Sequence, residues 1–192
     1  KVVIASGVVT TLAGSGSTGS ADGIGTAASF TTPAGITTDG TNLYVTDGDQ
    51  HVIRKIVIDN RTVTTLAGSV GASGTTDGTG SNARFMMPFG ITTDGTNLYV
   101  ADKSSHLIRK VVISSGVVTT LAGTGQAGNT DDTGINASFS QPRGITTDGI
   151  NLYVADNENH RIRKIVISSG VVTTIAGSSS GAVNATGTSA KF

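Results

Sequence analysis

Internal repetition constrains this chain more than any other feature. Gly-Ile-Thr-Thr-Asp-Gly, followed closely by Asn-Leu-Tyr-Val, begins at Gly35, Gly90 and Gly144. Ile-Arg-Lys with an apolar run begins at Ile53, Ile108 and Ile162, and Val-Thr-Thr-(Leu/Ile)-Ala-Gly occurs four times. Pro33, Pro88 and Pro142 stand 55 and 54 residues apart, longer than the ~40–50 residues of common propeller blades. The excess length has a fixed address. Phe30 to Leu66, Phe85 to Leu121 and Phe139 to Ile175 each span 36 positions, whereas Leu12 to Phe30, Leu66 to Phe85 and Leu121 to Phe139 span 18, 19 and 18. Length varies only in the glycine-rich linker, because a slip inside paired strands would turn every side chain to the wrong face. The invariant span is therefore the folded sheet.

Four strands, A to D, fit each span: Gly35 to Thr38, Leu43 to Thr46, Val52 to Ile58 and Val63 to Ala67 in the first. Asp39-Gly40, Asp94-Gly95 and Asp148-Gly149 predict A–B hairpins with positive φ at both turn positions. Ser115-Gly116 and Ser169-Gly170 turn C into D; in the first unit Asp59-Asn60-Arg61 takes that place, with Asn60 expected to be left-handed. Strand C is apolar on both faces, so both must meet protein, which fits four-stranded sheets packed face to face around an axis. A helix is excluded by the missing 3.6-residue period.

The expected fold class is all-β, a β-propeller of four-stranded antiparallel blades. Residues 1–192 form one segment with blade strands at about 33–67, 88–122 and 142–176, a C/D strand remnant at 1–14 and a linker at 177–192. Three complete blades plus a partial one cannot close, since a ring needs ~4–8. The chain is thus expected to be part of a ring of about six blades, as an excerpt of a longer protein or completed by another chain, with the excerpt favoured. Lys1, inside a strand pattern, agrees with a processed or excerpted chain.

Pro33-x-Gly35-Ile36, Asn42-Leu43-Tyr44-Val45, Asp47 and His51-x-Ile53-Arg54-Lys55, with their counterparts at Pro88–Lys110 and Pro142–Lys164, resemble the NHL repeat. Asn159-His160 is the dipeptide for which that family is partly named. The resemblance covers nearly the whole chain and implies a propeller. It implies no single function, for such propellers include RNA-binding domains, extracellular sensors and a peptide-amidating lyase.

Composition narrows the classes. Thirteen basic and thirteen acidic residues cancel, so no global field draws the chain to nucleic acid, and stacking aromatics are sparse. Without cysteine there are no disulfides or thiolate zinc sites, and three histidines are the only nitrogen ligands. Charged residues at 14% with abundant Ser and Thr point to an extracellular or periplasmic, secreted protein, and the long linker, similar to that of bacterial members of the NHL family, implies a bacterial one. No run approaches the ~20 apolar residues of a membrane span.

Residues that recur once per blade are assigned to the scaffold: His51, His106 and His160; Asp47, Asp102 and Asp156, fixing the B–C turn or pairing with Arg54, Arg109 and Arg163. Asp22, Asp77 and Asp131 in the linkers read as turn caps rather than calcium ligands. No nucleophile elbow, metal-binding helix or phosphate-cradling loop is present, so no enzyme activity, catalytic residue, metal or cofactor is expected. Function is expected where the repeats differ. Ala34, Phe89 and Arg143, just before the strand A glycine, fall nearest the central mouth, with Met86, Met87, Lys103 and Glu158 around them. The leading expectation is a binding module that takes protein or glycan on this loop-rich face. The alternatives are a structural unit of a larger extracellular assembly, and a metal-dependent lyase or hydrolase at the axial mouth.

Overall fold

A computed structural model describes residues 1–192. Regular structure consists of strands and three-residue 3₁₀ turns. Short β1 (Gly23–Ile24) precedes the first blade, β2 (Pro33–Thr38), β3 (Asn42–Asp47), β4 (Val52–Val57) and β5 (Thr62–Gly68). Short β6 (Gly78–Thr79) precedes the second, β7 (Pro88–Thr93), β8 (Asn97–Asp102), β9 (Leu107–Val112) and β10 (Val117–Ala122). The third comprises β11 (Pro142–Thr147), β12 (Asn151–Asp156), β13 (Arg161–Val166) and β14 (Val172–Ala176). Each blade is an antiparallel meander. The architecture is an all-β, partial propeller of three sheets packed face on face.

The sheet orders are β1-β5-β4-β3-β2, β6-β10-β9-β8-β7 and β11-β12-β13-β14. The linker therefore is not a free loop: part of it returns as an outermost fifth strand, Gly23 against Val63 and Gly78 against Val118. In the third blade a single bridge, Thr133 to Val171, does the same. The N-terminal residues form only a small hairpin held by a Val2–Val9 bridge.

Two turn readings need correction. In the A–B loop Gly40, Gly95 and Gly149 have φ near +90°, but their Asp neighbours do not join them in the left-handed region. The loop is instead a carboxylate-centred turn, in which Asp39 accepts from the N–H groups of Thr41 (2.9 Å) and Asn42 (2.6 Å), the Asn42 amide and the Tyr44 hydroxyl. Asp94 and Asp148 repeat this pattern, and the donors hold all three carboxyls below the usual range, outweighing the rise that burial brings at Asp39 and Asp94. In the C–D turn the left-handed residue is Arg61 (φ 61°), not Asn60, because Arg61 is the true counterpart of Gly116 (φ 69°) and Gly170 (φ 72°). The Asn60 carboxamide oxygen accepts from Thr62 N–H, as Ser115 Oγ does from Val117.

Blades meet through apolar faces. The leading face of blade one (Tyr44, Ile53, Ala67) packs on the trailing face of blade two (Phe85, Ile91, Leu98, Val100). Tyr99, Ile108 and Ala122 meet Phe139, Leu152 and Val154 in the same way. At the innermost strands the backbones nearly touch: a Cβ on Gly35 would run into the Phe89 carbonyl oxygen, and one on Gly90 into that of Arg143. Each seam also carries one histidine bond. Met87 N–H donates to His51 Nδ1 (3.2 Å) and Gln141 N–H to His106 Nδ1 (3.1 Å).

Two substitutions test these backbone assignments by chemical denaturation. Gly90→Ala, which forces two strands apart, is expected to cost about 2 kcal/mol. Arg61→Gly is expected to add about 0.5–1 kcal/mol, since relief of the left-handed penalty exceeds glycine's entropic cost.

Candidate functional site

The repeated residues build a clamp beneath the loop face. Arg54, on β4, is fully buried. Its Nη2 reaches Asp22 Oδ1 (2.9 Å) and the Ala21 carbonyl, its Nη1 reaches the Ser29 carbonyl, and its guanidinium lies 5.0 Å from the Phe30 ring centre. Arg109 and Arg163 make the same set with Asp77 and Phe85, and with Asp131 and Phe139. The linker carboxylate thus does more than cap a turn. It neutralises a buried cation and also accepts from the N–H of Thr65, Thr120 or Thr174. At Asp131 burial raises the carboxyl, but the Thr174 and Arg163 hydrogen bonds prevail and hold it low.

A second carboxylate faces the guanidinium from the other side. Asp47, Asp102 and Asp156 are buried and lie 3.8, 3.5 and 2.8 Å from their arginines. Their main partners are the N–H groups just before strand A: Thr31 and Thr32 for Asp47, Met86 for Asp102, Ser140 for Asp156. These aspartates therefore anchor the incoming linker to the end of strand B; Asp156 also holds the B–C turn through the Asn159 amide, and Asp102 does so through its backbone carbonyl, which accepts from the Ser105 hydroxyl. Burial pushes Asp156 up, and Asp102 up to about 6, against the pull of nearby donors and arginine.

The variable residues sit on this base. Register shifts between Pro33 and Ile36, Pro88 and Ile91, and Pro142 and Ile145 place a bulge in each innermost strand, where Ala34, Phe89 and Arg143 stand. A bulge re-aims a side chain out of the pleat. Phe89 is 38% exposed, and the Arg143 guanidinium lies 6.0 Å from its ring centre, so residues of two blades meet as one aromatic–cationic ledge. Ala34 is exposed beside them on blade one, with Gly35 against Phe89. The B–C 3₁₀ turns rise on the same face, since Ser104 N–H donates to the Met86 carbonyl, Lys103 N–H to Met87 and Glu158 N–H to Ser140. Met86, Met87 and Lys103 are half-buried around the ledge, while Glu158 is exposed.

His51, His106 and His160 have φ of 61°, 60° and 53°, each ending a 3₁₀ turn in the left-handed region. The Nδ1 atoms of the first two are occupied as acceptors between blades, and nowhere do three or more His, Asp or Glu side chains gather as metal ligands. Of this clamp the sequence reading holds the inner half, Asp47, Asp102 and Asp156 facing their arginines, but misses the linker half. Its signal was present: Asp22 to Phe30, Asp77 to Phe85 and Asp131 to Phe139 are all eight residues, inside a linker of otherwise variable length.

Blades of this geometry, each closed by a linker clamp and joined by face-to-face seams, define a β-propeller assembled from repeats. The profile of the NHL repeat matches residues 139–165. NHL repeat-containing protein 2 of Bos taurus is 36% identical over 141 residues, 68% of this chain and 19% of that protein, and the Homo sapiens protein is 32% identical over 163 residues, 77% and 22%. The chain belongs to the NHL-repeat β-propeller family and spans about a fifth of these relatives' length. Among solved structures, an auxiliary nutrient binding protein from Bacteroides thetaiotaomicron is similar, with TM-score 0.60 and 27% identity, covering 72% of this chain and 36% of that one. A chain of a nidogen/laminin complex shares the fold, with TM-score 0.56 and 20% identity over 75% of this chain and 48% of its own.

The raised carboxyl of Asp102 fixes a sign. Its folded form binds a proton more tightly than the unfolded chain, so its contribution is fully present below pH ~4 and is lost as pH rises towards about 6. Between pH 4 and 7 the stability difference between wild type and Asp102→Asn should move in the variant's favour by about 2 kcal/mol, measured by urea titration at each pH.

Proposed function

We propose that this protein is a non-catalytic binding module that takes a protein or glycan ligand on the loop face of its propeller, in an extracellular or periplasmic setting. One observation carries this reading: three blades share one scaffold, yet the bulge at the start of strand A holds Ala34, Phe89 and Arg143 in turn. A phenyl face beside a guanidinium supplies apolar contact, a cation and fixed donors in one place, a combination enriched in interface cores. It suits a sugar face or a peptide carboxylate or carbonyl. Likeness to a Bacteroides auxiliary nutrient binding protein supports a binding role. Low charge and a Ser/Thr-rich surface support the location. The ligand is held by preformed shape, without covalent chemistry.

Arrays of polysaccharides and extracellular matrix proteins, followed by biolayer interferometry, test this. Phe89→Ala and Arg143→Ala should each weaken a captured ligand about tenfold or more, as central interface residues do, while thermal melting stays near wild type. Equal binding by both variants would rule out the ledge as the site.

A further inference from the structure

Two cations of the loop face converge on the seam between blades two and three. Arg143, at the bulge of β11, leans back over the preceding blade, its guanidinium 6.0 Å from the Phe89 ring centre. Lys103 reaches the same seam from the other side. Its counterpart on blade one is Gly48, where a Cβ would stand 3.4 Å from the Pro88 carbonyl of the next blade and 3.6 Å from the Thr32 carbonyl of its own. Repeat symmetry puts the start of the Lys103 side chain between Met87 and Pro142, the residue before Arg143. Both cations are half-buried, and both blades that form this seam have all four strands.

Neither cation is matched within the protein. The ion pairs of the molecule all belong to Arg54, Arg109 and Arg163, and the Arg143 Nε is buried without a hydrogen-bond partner. Of the carboxylates at the two B–C turns, Asp102 and Asp156 face Arg109 and Arg163, and Glu158 accepts from the neighbouring Asn157 amide (3.0 Å). A half-desolvated guanidinium without an acceptor is unfavourable, and a carboxylate from outside answers it with paired, charge-assisted hydrogen bonds. At the seam between blades one and two the same two positions are Gly48 and Phe89, so no cation stands there. The charge belongs to one seam and not to the repeat.

An acid group alone leaves Phe89 unused. The phenyl ring is 38% exposed beside the cations, so a ligand that engages all three residues must hold an apolar face and an acid group in fixed relation. A uronic acid residue does this, because its carboxyl carbon is bonded directly to the pyranose ring. The C–H groups of that ring can lie on a phenyl face while the carboxylate meets the guanidinium and the ammonium. An aspartate or glutamate side chain brings the acid without the face, and so do sulfate and phosphate.

We infer that this seam is a subsite for a uronic acid residue of an acidic polysaccharide, with Phe89 stacking on its ring and Arg143 and Lys103 holding its carboxylate. The assignment rests on the loop face being the binding surface and adds to it the class of ligand.

Isothermal titration calorimetry of the full chain provides the test, with galacturonate, mannuronate and glucuronate oligomers each set beside its carboxyl-reduced, neutral form. At least one uronate oligomer should bind about tenfold or more tightly than its reduced form, with an affinity that falls as salt is added. Arg143→Gln and Lys103→Gln should each remove most of that preference while the melting temperature stays near wild type, whereas Phe89→Ala should weaken both forms alike. The comparison of acidic with reduced oligomers on the unaltered chain stands whatever the variants do. Equal affinity for the two forms would overturn the assignment, as would a preference that survives both cation substitutions. Capture of a protein or neutral glycan at Phe89 with no uronate bound would overturn it and leave the loop face a binding surface. A glutamate-rich peptide bound more tightly than any uronate would overturn it in favour of a peptide ligand. Only the absence of every ligand at Phe89 and Arg143 would remove the wider reading as well.

Discussion

Each blade is organised around a guanidinium that has lost all contact with water. A buried arginine is tolerated when its charge is balanced and most of its donors are occupied, as here, where Arg54 and Arg109 leave only Nε without a partner. Strand C alone cannot do this, so the chain must bring Asp22, the Ala21 and Ser29 carbonyls and the Phe30 ring back over Arg54. That requirement explains where length may change. Asp to Phe is fixed because both ends bind one guanidinium, while Ala13 to Asp22, Ala67 to Asp77 and Ala122 to Asp131 span 9, 10 and 9 residues. The additional residue in the second linker accompanies a small turn bridged from Ser69 to Ala72, before the clamp begins.

The clamp is not a simple source of stability. Asp102 and Asp156 are held above the usual carboxylate range, so burial costs them more than arginine and backbone donors return. On the third blade the more exposed partner, Asp131, is instead held low by its hydrogen bonds to Thr174 and Arg163. What the inner carboxylates provide is position. By binding the N–H groups of Thr31, Met86 and Ser140, they fix where each linker enters strand A, and with it the direction of the bulged side chain three residues later.

Strands, their order and the shared loop face were legible in the sequence because they follow from local patterns: short apolar runs, Asp-Gly and Ser-Gly turns, and constant spacing. The errors lie where a local rule met a distant partner or a substituted residue. Asn60 looked left-handed because asparagine tolerates that region, but repeat alignment assigns the geometry to Arg61, and Asn60 serves through its side chain. Asp22 looked like a turn cap because its partner, Arg54, is 32 residues away. Ala34, Phe89 and Arg143 could be nominated from their variation alone. Sequence did not reveal that Phe89 and Arg143 stand within 6.0 Å, since that depends on how two blades pack.

The strand A glycine shows why a single repeat is an incomplete unit of meaning. Nothing within one blade requires it, for the bulge can be occupied by alanine, phenylalanine or arginine next door. The requirement arises from a carbonyl on the following blade, and the left-handed turn at Met87 and Gln141 arises from a histidine on the preceding one. Blade one makes the dependence visible: without a preceding histidine, Thr32 adopts ordinary backbone geometry and gives its N–H to its own blade. Scaffold residues in this repeat are therefore specified by neighbours, and only the bulge residue is released from both, which leaves it available to carry a different chemistry on each blade.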